Sequence, residues 1–146
     1  ELPNLLFFVT PLDVDGRLQF ALYAGPAYSV EEANALRDPV AVVLDRGRSL
    51  PINLDDLSVH EAPYAFYFGE YDTAGNAQGR VQALAGNSIP AYSLQVSYPD
   101  GTTGVRVYGG AFRDEVEAEE MGRMVTDANI GEMVLTRRRG TVPGDD

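Results

Sequence analysis

The sequence predicts an α+β protein, an antiparallel sheet with helices on one face, and three observations carry that prediction. A glycine-anchored frame recurs three times, hydrophobic spacing changes from strand-like to helix-like across each glycine, and a helix-capping residue follows each one. The anchors are Gly25, Gly69 and Gly110. Tyr23, Tyr67 and Tyr108 stand two residues before them, Ser29, Thr73 and Asp114 four residues after, and Ala33, Ala77 and Ala118 eight after. Self-similarity at a fixed period marks one supersecondary unit used repeatedly.

In chain order, Leu5–Thr10 and Arg17–Ala24 read as two strands joined through the turn Asp13-Val14-Asp15-Gly16. Apolar alternation supports the second strand at Leu18, Phe20 and Leu22, and supports later strands at Phe66 and Phe68 and at Val105 and Val107. After each glycine the period lengthens. Ala33 and Leu36, then Ala77, Val81 and Leu84, then Ala118, Met121 and Val125 step by three and four, which gathers them on one helix face. Ser29 with Glu32 and Asp114 with Glu117 fit capping boxes. Each glycine is expected where a strand turns sharply into its helix. Further strands are expected at Ala41–Leu44, Ala91–Ser97 and Met133–Arg137, with Tyr98-Pro99-Asp100-Gly101 as the turn into Gly104–Gly109. The whole then reads as a partial ββαβ module over 1–45, a linker over 46–62, a βαββαβ module over 63–139 and a disordered tail over 140–146. The second module has the order of a ferredoxin-like split βαβ unit.

Composition narrows the function classes. Of 146 residues, 45% are hydrophobic, enough for one or two packed domains and too many for a disordered chain. Without cysteine there is no disulfide framework and no thiolate metal site. The net charge is −11 and every basic residue is arginine. Such a surface repels phosphate backbones, so no nucleic-acid partner is expected. No apolar run reaches the roughly 18 residues of a membrane span, so this segment is not expected to insert into a membrane. No signal peptide is visible, and a chain beginning at Glu1 reads as a fragment or mature segment of a larger or processed protein.

The segments Phe66-Tyr67-Phe68-Gly69-Glu70-Tyr71 and Arg106-Val107-Tyr108-Gly109-Gly110-Ala111-Phe112 resemble the two half-repeats of the sporulation-related repeat (SPOR) domain family. Those half-repeats carry patterns such as V-Q-V-G-S-F and R-V-R-V-G-P-F, each followed by a helix. Gly25-Pro26 with Ser29, Glu31, Glu32 and Ala33 is similar to the second half-repeat, with Ala27 where phenylalanine is usual. The chain departs from the family at Tyr67, where glutamine is frequent, and at Glu70, where a small residue is frequent; it also has no tryptophan. The resemblance implies a SPOR-type fold, complete over 63–139 and partial over 1–45. It further implies a cell-envelope or periplasmic location, possession of no cofactor, and binding of peptidoglycan glycan strands on the open face of the sheet. Envelope or division proteins are further partners that it suggests.

Strand alternation sorts the candidate residues. With Phe66, Phe68, Val105 and Val107 facing the helices, Tyr67, Arg106 and Tyr108 face away. Ser93 and Gln95 join them if Leu94 and Val96 are core. Glu70 follows the first glycine of the motif. Tyr67, Glu70, Ser93, Gln95, Arg106 and Tyr108 are therefore the expected ligand-binding set, with Tyr23 and Gln19 as counterparts in the partial module. Rings stack on pyranose faces, polar groups satisfy hydroxyls, and arginine forks onto a carboxylate. The competing explanation is plain strand preference of tyrosine, or burial of this face in packing.

Catalysis is not expected. His60 is the single histidine and stands in a loop-like stretch, and no nucleophile–base set assembles around it. Asp13-Val14-Asp15-Gly16 has the start of a calcium loop, but its twelfth position is Ala24, so a turn is expected and no metal. The acidic run Asp114 to Glu120 suits a solvated helix start. Gly109-Gly110 lacks the lysine of a phosphate loop. Two other functions stay open: a protein-interaction scaffold of the same fold, and an RNA-recognition module, against which stand the charge and the unmatched segment Gly104–Gly110.

Overall fold

The computed structural model describes residues 6–27, 29–45, 57–131 and 133–138. The expected tail over 140–146, and residues 46–56 of the expected linker, lie outside the described residues. The chain divides into two compact units, one drawn from Glu1–Phe7 and Tyr23–Glu61, the other from Phe8–Leu22 and Ala62–Asp146.

The first strands, β1 (Leu6–Val14) and β2 (Arg17–Gly25), form a two-stranded sheet. Asp15 and Gly16 make its turn with φ of 53° and 76°, the doubly positive conformation that an Asp-Gly pair accommodates. The Asp13 carboxylate accepts the Gly16 N–H at 2.7 Å. Next comes α1 (Val30–Ala35), capped by Ser29, whose hydroxyl accepts the Glu32 N–H at 3.1 Å.

The strand expected at Ala41–Leu44 is instead part of a second helix, α2 (Arg37–Asp45), so this region is ββαα and not ββαβ. Its β-branched valines suggested a strand by propensity. Helix wins because Pro39 falls in the first turn, where a missing N–H costs nothing, and Asp38 beside it suits the helix dipole. Val40 and Ala41 are both buried, whereas a strand would send them to opposite faces.

The four-stranded sheet belongs to the second unit. It is built from β3 (Tyr64–Tyr71), α3 (Ala74–Gly86), β4 (Tyr92–Ser97), β5 (Thr103–Phe112), α4 (Glu115–Ala128) and β6 (Val134–Arg137). Strand order is β4-β5-β3-β6 and every neighbouring pair is antiparallel, an arrangement compatible with a ferredoxin-like fold. The caps fall where the sequence put them. Thr73 Oγ1 accepts the Asn76 N–H at 3.2 Å, and Asp114 Oδ1 accepts the Glu117 N–H at 2.9 Å. One core joins Phe66, Phe68, Val107 and Phe112 of the sheet to Ala77 and Leu84 of α3 and to Ala118, Met121 and Val125 of α4. The two helices therefore cover the same face. Each fully buried large side chain there contributes about 1.5–3 kcal/mol.

Two of the three anchor glycines turn out to be β-bulges. Between the pairs Tyr67↔Tyr108 and Glu70↔Arg106, β3 spends three residues where β5 spends two. Gly69, at φ 123°, lies in that stretch. Between Phe66↔Gly109 and Tyr64↔Phe112 the excess is on β5, around Gly110 at φ 71°. An extra residue resets the alternation of faces. Tyr71 consequently packs on the same core as Phe68, and Phe112 on the same core as Val107. The expectation of a strand-to-helix turn at these glycines is thus corrected: both lie inside strands. Gly25 ends β2 without a positive φ and is no counterpart of the other two.

Candidate functional site

Residues directly opposite each other in an antiparallel pair share a face. Tyr67 is opposite Tyr108, Tyr108 is opposite Tyr92, and Arg106 is opposite both Glu70 and Leu94. These side chains therefore occupy the face turned away from α3 and α4. Ser93 is opposite Val107 and Gln95 opposite Val105, and both valines pack on the helix-side core. The placement of Ser93 and Gln95 with the tyrosines is corrected accordingly. The premise that failed was that buried Leu94 and Val96 must face the helices: they are 6% and 1% exposed on the other side.

Arg106 is the centre of the cluster. Its guanidinium carbon lies 5.1 Å from the Tyr67 ring centre and 5.9 Å from that of Tyr98. Arg106 Nε donates to the Tyr98 hydroxyl and Nη1 to the Tyr108 hydroxyl, each at 3.3 Å. The Tyr98 hydroxyl in turn donates to Glu70 Oε1, which lies 3.9 Å from Arg106 Nε. A Cβ on Gly104 would run into the Glu70 carboxyl group, so the bare backbone there makes room for it. The Arg106 side chain is 16% exposed and that of Glu70 34%.

Burial holds the Tyr67 hydroxyl above the ordinary phenol pKa; Arg106 opposes the rise and Glu70 adds to it. Burial, then the bond to Glu70, raises Tyr98 likewise. At Arg106 burial disfavours the cation, but the Tyr108 and Tyr98 hydroxyls outweigh it and the net direction is upward. Arg106 is thus a fixed cation at any physiological pH.

The rest of this face is packed. Tyr108 is fully buried and Tyr92 is 5% exposed. Phe8 of β1 stacks on Tyr92 with ring centres 4.4 Å apart. The Tyr92 hydroxyl donates to the Gly110 carbonyl at 2.7 Å and accepts from Arg138 Nη1 at 3.1 Å, while the Arg138 guanidinium lies 5.5 Å from the Phe8 ring centre. Of the expected ligand set, Tyr67, Glu70, Arg106 and Tyr108 therefore come together, with Tyr108 beneath the surface. The sequence alone marks Tyr98 only as a turn residue. It does close that turn, accepting the Gly101 N–H at 3.0 Å, but its ring also reaches Arg106.

Gln19 and Tyr23 lie on β2, and Tyr23 is 6.1 Å from the His60 ring. His60 Nε2 is 2.8 Å from the Ser58 hydroxyl. An open groove of about 400 Å³ is lined by Glu119, Gly122, Arg123, Thr126, Asp127 and Met133 and includes none of the expected residues. Among the described residues, no cluster of three or more potential metal ligands occurs, and no helix is long and apolar enough to cross a membrane.

What fold and site define together is an α+β module with a tyrosine–arginine cluster on the sheet face turned away from its helices. Compared with known proteins, the chain matches no family model, no curated protein and no solved structure.

Proposed function

We propose that the chain is a non-catalytic module of the bacterial cell envelope, SPOR-like in architecture, that binds peptidoglycan glycan strands through Tyr67, Glu70, Tyr98 and Arg106. The observation that supports this reading is the guanidinium held over two tyrosine rings beside a carboxylate about one-third exposed. Rings of this kind take the apolar face of a pyranose, Glu70 accepts from sugar hydroxyls, and Arg106 attracts the lactyl carboxylate of the glycan. Preorganisation favours binding, because the arginine is already ordered before the ligand arrives. The module holds no cofactor in this reading and works in the periplasm or envelope.

A second reading is an interaction scaffold of the same fold, with envelope or division proteins as partners. It draws on the burial of Tyr108 and on the stacking of Phe8 over Tyr92, which shrink the surface left for a sugar. Sedimentation with purified sacculi, before and after amidase removal of stem peptides, separates the two. Glycan binding predicts that pelleted protein increases after amidase treatment and that Tyr67→Ala/Arg106→Ala abolishes the increase, with circular dichroism unchanged. No binding to either preparation by a folded protein would leave the scaffold reading in its place.

A further inference from the structure

The hairpin carries a surface that the tyrosine–arginine cluster does not use. Leu18, Phe20 and Leu22 of β2 are 46%, 57% and 55% exposed, and strand alternation places all three on one face. The two-stranded sheet leaves the outer edge of β2 without a partner strand among the described residues. Edge strands are ordinarily guarded by charge, proline or a bulge. Between Leu18 and Leu22 there is neither charge nor proline: the segment reads Leu-Gln-Phe-Ala-Leu.

We propose that β2 pairs antiparallel with β2 of a second copy, about a two-fold axis at Phe20, extending the two-stranded sheet to four strands. Three features of the segment favour its own copy as occupant. Its pattern is symmetric about Phe20: antiparallel pairing sets Phe20 opposite Phe20 of the second copy and Leu18 opposite Leu22 of the second copy, so apolar meets apolar throughout. Such a contact uses the same patch on both subunits and closes at two copies. Charge also permits it. The chain carries −11, which opposes self-association over most of its surface, yet Arg17–Gly25 contains no acidic residue and a single cation. Lastly, a two-stranded ribbon is marginal alone, and two more strands stabilise it. One strand edge lies at the small end of interface size, so association is expected to depend on concentration.

The experiment uses the full chain. Its mass is followed by sedimentation equilibrium over a concentration series, beside three variants: Phe20→Asp, Phe20→Cys and Leu18→Cys. The chain has no cysteine of its own, so each introduced thiol reports alone. The expected result is a mass that doubles with concentration and a Phe20→Asp chain that stays monomeric with an unchanged circular dichroism spectrum. Phe20→Cys is then expected to cross-link on mild oxidation, because residues facing each other across the axis have Cα atoms about 4.5–5.5 Å apart. Leu18→Cys is expected not to, because its own copies lie about 14 Å apart in this register. A monomer at every soluble concentration would overturn the proposal. So would a dimer that survives Phe20→Asp, or one that cross-links at position 18 in preference to 20.

Discussion

The two faces of the four-stranded sheet are both packed, but by different chemistry. Toward the helices, Phe66, Phe68, Val107 and Phe112 meet Leu84, Met121 and Val125, with no titratable side chain in that buried cluster. Away from the helices, tyrosine rings interlock with Arg106, and the Tyr98 and Tyr92 hydroxyls each serve two partners. The first face gains its energy from area removed from water and tolerates nothing smaller. The second gains less per residue but fixes direction, because its hydrogen bonds join specific atoms. Stability is expected to rest mainly on the first face, and the proposed recognition uses the second.

Substitutions separate the two faces. The largest effect is expected from Phe112→Ala, which empties a fully buried ring site and should cost about 3–5 kcal/mol in chemical denaturation. A cost near that of a surface residue would show that the helix-side core is not the dominant store of stability. Gly69→Ala comes next. At φ 123° a side chain is strained whatever space is available, and a loss of about 1–3 kcal/mol is expected. Glu70 should be displaced with it, seen as altered ring-current shifts of Tyr98 and Tyr67.

A third test is by pH and touches only the tyrosine face. Tyr92, Tyr67 and Tyr98 all have pKa values raised above the ordinary 10.0, chiefly by burial. The folded state keeps these protons after the unfolded chain has released them. Their stabilisation is complete below pH 10 and is lost as pH rises through the folded values. Denaturation midpoints should therefore fall above pH 10 alongside tyrosinate absorbance, and Tyr98→Phe should flatten part of that fall. A flat profile in the parent protein would contradict the burial of these hydroxyls. The smallest effect belongs to Gln95→Ala, on the helix side but exposed at the edge strand. It should change stability by no more than about 0.5 kcal/mol and leave sacculus sedimentation unchanged.

These two faces also mark where the sequence was legible. Local signals were read correctly because their causes are local: Ser29, Thr73 and Asp114 cap helices through bonds only three residues long. The pairing of Tyr67, Arg106 and Tyr108 followed from strand alternation alone. Ser93 and Gln95 were misplaced because that argument needs one wet face, and Leu94 and Val96 are buried on the face assumed to be open. Tyr98 was hidden by its neighbours, since Pro99, Asp100 and Gly101 account for a turn without any use for the ring. The α2 segment misled because valine propensity is weak beside the packing that places Val40 and Ala41 together.

The bulge at Gly69 gives β3 a property akin to a reading frame. Side chains before it are assigned to one set of faces and those after it to the opposite set, with a single residue as the spacer. Deleting that residue would remove the bulge and leave the faces downstream as they are, with Glu70 still opposite Arg106 and Tyr71 still opposite Val105. Were Gly69 instead held in regular alternation, Glu70 would be directed into the phenylalanine core and Tyr71 out of it. The spacer, and not the composition of the strand, therefore decides which face each later position takes up to the strand's end.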